Sequence, residues 1–330
     1  MQNNTIFATS FSPEYSEHIG ADDPLDLLKI IIHDLGIKEI RFGLRWNKVD
    51  QNGKLSLSYY EKYIKYLLDH DCKVCLNIGP IKVFRWPEEQ IPKRYEKFSK
   101  RTIFPDDELA KYSYEYLTNL LQMLVADYGN ALDNFTLQVE NEGFNRFGHL
   151  GVAMSQQHYL EVIKIVKQHL PSNKLMVNSA GRMNLRKILE LFDILVENEL
   201  YIASSLVLGF NYYFRLPHTL PFKEVIDPIR ISLPFDMSIK QLHKRQSESG
   251  FGLEVSEGQF EPWGVQTSPG NSYDDLLYLV EKSSAFFPEE YPGKLIRLWG
   301  TEEFAMKILR NELNDEHRRI MEEIKTRVTI

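Results

Sequence analysis

Residues 22–43 read DDPLDLLKIIIHDLGIKEIRFG, a helix and a strand written back to back. Asp22 or Asp23 offers an N-cap, Pro24 suits the first turn, and apolar residues recur at helical spacing to Leu35. Gly36 then stops the helix. Lys38–Gly43 follows as a short strand, and Ile6–Phe11 upstream reads as another. The three elements make a strand–helix–strand unit too long for a hairpin, which argues for parallel pairing.

The same alternation continues outward along the whole chain. Tyr59, Tyr60, Tyr63, Ile64, Leu67 and Leu68 form a helical stripe before a third strand at Lys73–Ile78. A proline-punctuated segment leads to a helix over Asp107–Tyr128, strand four at Phe135–Glu140 and a helix over Ser155–Leu170. Strand five is Leu175–Asn178, with a helix over Leu185–Glu197, and strand six is Leu206–Asn211, with a helix over Ser238–Ser249. Strand seven is Gly252–Ser256, then a helix at Tyr273–Ser284, strand eight at Leu295–Trp299, and a polar-rich helix from Thr301 to near the C-terminus. Eight alternations without a composition break predict a single (β/α)8 TIM barrel over 1–330, with long loops after strands three and six. The runner-up is a doubly wound sheet. It would want a glycine-rich phosphate loop after strand one, where Ser10-Phe11-Ser12-Pro13 stands instead.

Composition supports a globular chain and narrows its partners. The 330 residues are 43% hydrophobic and 26% charged, with 46 acidic against 39 basic side chains and a net charge of -7. No basic stripe points to nucleic acid, and no apolar run is long enough to span a bilayer. The segment Met1–Ser10 lacks a basic-then-apolar leader pattern, so the expectation is a cytoplasmic protein, or a secreted one whose leader was removed. Cys72 and Cys75 have C-x-x-C spacing but fall at a strand, where side chains three apart face opposite ways. They are read as buried structural cysteines rather than a redox pair or metal site.

The unusual residues gather where a barrel places its active site, at the C-terminal strand ends. Trp46 follows strand two, Trp86 strand three and Trp263 strand seven, and Trp299 ends strand eight. Flat aromatic faces suit the apolar C–H faces of sugar rings, and Tyr212 and Tyr213 extend the set. Strand four ends in Gln138-Val139-Glu140-Asn141-Glu142-Gly143, and strand seven in Glu254-Val255-Ser256-Glu257-Gly258-Gln259-Phe260-Glu261-Pro262-Trp263. Carboxylates facing each other across the mouth are the minimum apparatus for glycoside hydrolysis: one protonates the leaving oxygen, while the other attacks the anomeric carbon or activates water. Other chemistries lack their parts. No H-x-H or H-E-x-x-H pair offers a metal site, no G-x-S-x-G elbow marks a serine hydrolase, and neither Lys73 nor Lys82 sits plainly at an inner strand end for Schiff-base work. No metal and no cofactor are expected.

These segments together resemble the retaining (β/α)8-barrel glycoside hydrolase clan of cellulase- and β-glucosidase-like enzymes. Gln-Val-Glu-Asn-Glu at 138–142 is similar to its strand-four motif, which implies that Glu142 is the acid/base. Ser-Glu-Gly-Gln-Phe-Glu-Pro-Trp at 256–263 is similar to the segment Thr-Glu-Leu-Gln-Ala-Glu-Pro-Trp, whose first glutamate is the nucleophile, matching Glu257. Arg41 with Trp46, Asn211-Tyr212-Tyr213 and Arg297-Leu298-Trp299-Gly300 resemble the segments of strands two, six and eight. The clan usually has proline where Gly143 stands, and threonine and leucine where Ser256 and Gly258 stand, so a divergent member is implied.

The resemblance implies a retaining β-glycosidase acting on a soluble saccharide or glycoside. Glu142 needs a raised pKa to serve as acid, and the nearby negative charge of Glu257 would supply it. Arg41 would favour ionised Glu257, Tyr213 could donate to it, and Asn141 could bind the hydroxyl beside the anomeric carbon. Asn211, Arg85, Trp86, Trp263 and Trp299 complete the substrate-binding set, with Arg45 beside them. Glu140, which would share a strand face with Glu142, and Glu254 and Glu261, which flank Glu257, remain rivals. A catalytically silent barrel that binds carbohydrate or a protein partner is the alternative from another class. A transglycosylase would use the same residues. The sugar, exo or endo action and the oligomeric state stay open.

Overall fold

The computed structural model describes residues 5–85, 89–99, 101–146, 148–179, 184–213, 237–260 and 272–328. Eight parallel strands close into a barrel: β1 Thr5–Phe11, β2 Glu39–Gly43, β3 Lys73–Gly79, β4 Thr136–Val139, β5 Lys174–Ser179, β6 Leu206–Tyr212, β7 Gly252–Gln259 and β8 Lys294–Trp299. Each strand pairs with the next, and β8 pairs back onto β1 with Thr5 opposite Lys294. The helices that follow the strands in turn are α1 Pro24–His33, α2 Ser58–Asp69, α3 Glu108–Tyr128, α4 Gln156–His169, α5 Leu185–Glu197, α6 Ile239–Ser249, α7 Tyr273–Ser284 and α8 Thr301–Leu309. The opening unit forms as its sequence dictates. The Asp23 carboxylate accepts from Leu25 N at 3.0 Å as the N-cap of α1, Pro24 sits in the first turn, and Gly36 takes φ 73° after the helix.

Three expectations about the elements are corrected. The C-terminal helix is two: α8 ends at Leu309, Asn311 turns at φ 57°, and Asn314 caps a separate helix α9, Asp315–Thr326, in a capping box with His317. Strand β7 runs to Gln259 rather than Ser256, because it carries a bulge. Asn211 pairs with Glu257 where Phe210 pairs with Val255, so one residue of β7 is extra. Strand β4 ends at Val139, before Glu140. The connection from β3 to α3 spans 80–107, and its Thr102–Ile103 pairs with Ala153–Met154 of the segment between β4 and α4. The segment 214–236 after β6 lies outside the described residues.

The barrel interior holds charge as well as apolar groups. The Arg297 guanidinium on β8 is bound by both oxygens of Glu254 on β7, at 2.9 and 3.1 Å, and lies 3.3 Å from Glu39 at the start of β2. Arg297 is 2% exposed and Glu254 5%. Cys72 and Cys75 are both buried free thiols, and no described helix is long and apolar enough to cross a membrane.

Removing one partner of a buried ion pair leaves the other charge stranded. Glu254→Ala is therefore expected to lower unfolding stability by about 3–5 kcal/mol, read by urea denaturation. A loss within about 0.5 kcal/mol, typical of a surface change, would contradict the buried-pair account. The thiols give a second test. Burial pushes Cys72 up to about 11 and Cys75 up to about 12, from an ordinary value of 9.0. An unfolded thiol ionises first as pH rises, so this contribution is complete below pH 9 and is lost as pH climbs toward the folded value. Stability should fall between pH 9 and 11, and Cys75→Ala should make that slope shallower by up to about 1.4 kcal/mol per pH unit.

Candidate active site

The C-terminal mouth of the barrel is filled by one buried polar network centred on Arg41 of β2, which is 0% exposed. Its Nη1 donates to Glu257 Oε1 at 2.6 Å, Nε to Gln138 Oε1 at 2.6 Å, and Nη2 to Asn141 Oδ1 at 2.5 Å. The guanidinium lies 4.2 Å from the centre of the Phe84 ring. One side chain thus ties β2 to β4 and to β7. Tyr213, just past β6, donates its hydroxyl to the other Glu257 oxygen.

Asn178, near the end of β5, is the second hub. Its Oδ1 accepts from Gln138 Nε2 at 2.9 Å and from the Glu142 amide at 3.0 Å. Its Nδ2 donates to Asn141 Oδ1 at 3.0 Å and Asn211 Oδ1 at 3.2 Å. Asn211 on β6 accepts from the Ser256 hydroxyl at 2.6 Å and donates Nδ2 to Glu142 Oε1. Three donors converge on Asn141 Oδ1, from Arg41, Gln138 and Asn178. That orients the amide and turns Nδ2 to the other side. The β7 bulge explains why the neighbours Ser256 and Glu257 both reach this network. An extra residue breaks the strict alternation of a strand and re-aims a side chain. Gly209 makes room: a Cβ there would lie 2.8 Å from Ser256 Oγ and 3.0 Å from Asn178 Cβ.

The turn carrying Glu142 is held at every amide. Glu140 N donates to Gly79 O at 2.9 Å, Asn141 N to Lys82 O at 2.7 Å, Glu142 N to Asn178, and Gly143 N to Tyr159 Oη at 3.1 Å. Glu140 and Glu142 take φ values of 48° and 51°. This turn overturns the shared strand face of the two glutamates, since two-residue periodicity ends with β4. The Gly143 N–H is thus used, and a Cβ there would meet Tyr159 Oη at 2.3 Å.

The structure brings together Arg41, Asn141, Glu142, Asn211, Tyr213 and Glu257. Trp299 ends β8 and clusters with Phe84 and Tyr213, and its Nε1 is buried with no hydrogen-bond partner among the described residues. Arg85 stacks over Tyr15 at 3.4 Å and Trp299 at 4.5 Å, with Nη2 3.3 Å from Glu302 Oε2. Arg45 donates to Ser12 Oγ at 3.2 Å. Trp46 is a correction. It opens a one-turn helix, is 1% exposed, and stacks on Tyr116 at 4.8 Å with Tyr95 at 5.0 Å, so its ring faces are used in packing. Tyr212 likewise belongs to the apolar core, beside Phe210. Trp86, Trp263 and Glu261 lie outside the described residues. Glu254 is engaged by Arg297. Among the described residues no cluster of three His, Cys, Asp or Glu could hold a metal ion.

Gln138, Asn178, Asn77 and Ser256 are not among the site residues expected from the sequence. Asn77 accepts from Phe84 N at 3.2 Å and donates to Gln138 O at 3.2 Å. The available signal was a polar residue at a buried position within an apolar strand, which must be paired.

No protein-family model matches the chain, and no curated protein matches it in sequence. Solved structures do share its fold. The intracellular xylanase of Thermoanaerobacterium saccharolyticum, solved as a mutant with xylotriose, aligns over 91% of this chain and 87% of its own, with TM-score 0.53 and 13% identity. A GH5-4 broad-specificity endoglucanase from Clostridium longisporum aligns over 90% and 86%, with TM-score 0.54 and 12% identity. Another, from an uncultured bovine rumen ciliate, aligns over 99% and 97%, with TM-score 0.53 and 13% identity.

Packing rather than sugar contact at Trp46 has a measurable consequence. Trp46→Ala is expected to cost about 3–5 kcal/mol of stability, read by urea denaturation. An unaltered unfolding midpoint would contradict a packing role.

Proposed function

We propose that the protein is a retaining glycoside hydrolase that cleaves β-glycosidic bonds of a soluble saccharide or glycoside. The observation that carries this reading is that one buried hydrogen-bond network brings two carboxyl groups to one mouth. Glu257 sits in an ion pair with Arg41 and accepts from Tyr213. The Glu142 carboxyl accepts from the Asn211 amide, and its main-chain N–H donates to Asn178. Two carboxyl groups in one site are the apparatus for glycoside cleavage by a nucleophile and an acid. The shared fold of solved xylanases and endoglucanases, one holding xylotriose, supports a β-linked saccharide as the ligand class.

In this mechanism Glu142 protonates the glycosidic oxygen as the bond breaks, and Glu257 attacks the anomeric carbon to form a covalent glycosyl-enzyme. Glu142, now a carboxylate, takes a proton from water, which displaces Glu257 and restores the original configuration. Asn141 Nδ2 is the donor for the hydroxyl beside the anomeric carbon, where hydrogen bonds tighten in the transition state. Trp299 and Tyr213 supply aromatic faces for the ring. Acid, base and nucleophile all come from this chain's own side chains.

The test is a panel of aryl β-glycosides with different sugars, with product configuration followed by NMR. Retention is expected on the preferred sugar. Glu257→Ala should lose nearly all turnover, and Glu142→Ala should lose about 10²–10⁴-fold on poor leaving groups but much less on good ones. Inversion, no turnover of any glycoside, or near-normal rates in Glu257→Ala would refute the assignment.

A further inference from the structure

We infer that Glu140 is a positioning residue for Glu142, acting as a clamp between the turn after β4 and the loop after β3. The inference rests on the reading of Glu142 as acid/base. Glu140 is 0% exposed, so its carboxylate does not meet substrate. Both of its oxygens are taken by donors. Oε2 accepts from Lys82 N at 2.6 Å and Ile81 N at 3.2 Å, and Oε1 accepts from Ile81 N at 3.3 Å and lies 3.2 Å from His158 Nε2. His158 on α4 is itself anchored, with Nδ1 3.1 Å from the Tyr114 hydroxyl on α3.

The clamp works in both directions. Lys82, whose amide binds the Glu140 carboxylate, returns its carbonyl to Asn141 N at 2.7 Å, one residue from Glu142. The same loop carries Phe84, which lies under Arg41. Residues 140 and 142 both hold a left-handed backbone, which for glutamate costs energy unless its surroundings over-determine it. The carboxylate of Glu140 supplies that determination. Without it two buried amides lose their acceptor, and the turn that aims Glu142 loses one wall. A misplacement of a catalytic group by about 1 Å is enough to cost a factor of about a hundred.

The experiment uses Glu140→Gln, which keeps the shape and removes one acceptor. On a phenyl β-glycoside kcat should fall about tenfold to a hundredfold with KM little changed. On the 2,4-dinitrophenyl glycoside of the same sugar, whose departure needs no acid, the fall in kcat/KM, which excludes the base-assisted second step, should stay within about threefold. Equal losses on both substrates, or none on either, would overturn the clamp. Tyr114→Phe, which removes only the outermost bond, should show the same leaving-group dependence to a smaller degree if Glu140→Gln does not fold; its absence there would count equally against the clamp. Hydrogen exchange separates this inference from the function itself. If the wild-type protein cleaves no glycoside, the functional reading falls, but the amides of 141–143 should still exchange about tenfold faster in the variant while those of α7 do not. Acceleration confined to 81–82 would overturn the clamp whatever the activity.

Discussion

A guanidinium with no access to solvent sits at the centre of the barrel mouth, and the arrangement of the site follows from satisfying it. Taking a cation out of water costs several kcal/mol even after relaxation, and only close, well-aligned acceptors offset that. Arg41 finds them on opposite sides of the barrel, in Glu257 of β7, and in Gln138 of β4 and Asn141 of the turn after it. The planar fork of arginine can serve several acceptors at fixed angles, which a lysine ammonium cannot do. The placement of Glu257 and the orientation of the Asn141 amide are consequences of the same group. Asn178 and Asn211 extend the order to Glu142, each amide fixed at one end by a partner and passing that constraint on.

Two other buried carboxyl groups are held by different partners. Glu254 is paired with Arg297, on the side away from the mouth, and Glu140 accepts from main-chain amides and lies beside His158. Glu254 and Glu257 lie on β7, and Glu140 and Glu142 in the turn after β4; within each pair the two carboxyl groups have different partners. The bulge in β7 contributes to this separation, since it lets Glu257 face the mouth while Glu254 faces the ion pair.

Much of this was legible in the sequence because the signals were periodic. Helical stripes such as Tyr60, Tyr63, Ile64 and Leu67, broken by Gly36 or by prolines, map directly onto α2 and its neighbours. The placement of Glu142 and Glu257 at strand ends followed from counting strands. What periodicity could not carry was any departure from it. The bulge at Ser256–Glu257 and the left-handed turn at Glu140–Glu142 break the two-residue repeat, so the sides taken by Glu140 and Glu142 were misread. Trp46 misled for a different reason: a tryptophan after a strand end reads alike whether it faces a ligand or a stack of tyrosines. Gln138 and Asn178 escaped notice because a single amide in an apolar strand carries no spacing pattern. The division of the C-terminal helix was written only in Asn311 and Asn314, a turn and a cap within a polar stretch.

Gly143 and Tyr159 draw a consequence about exchangeability. A proline at 143 would have no N–H to give, and a side chain there would collide with the Tyr159 hydroxyl. The tyrosine in turn is buried, so its hydroxyl would be stranded if the amide vanished. The two positions are therefore coupled: each excludes the residues that the other would need for a different solution, and their substitutions would combine non-additively. Proline at 143 or phenylalanine at 159, introduced alone, would leave one buried polar group of this pair unpaired.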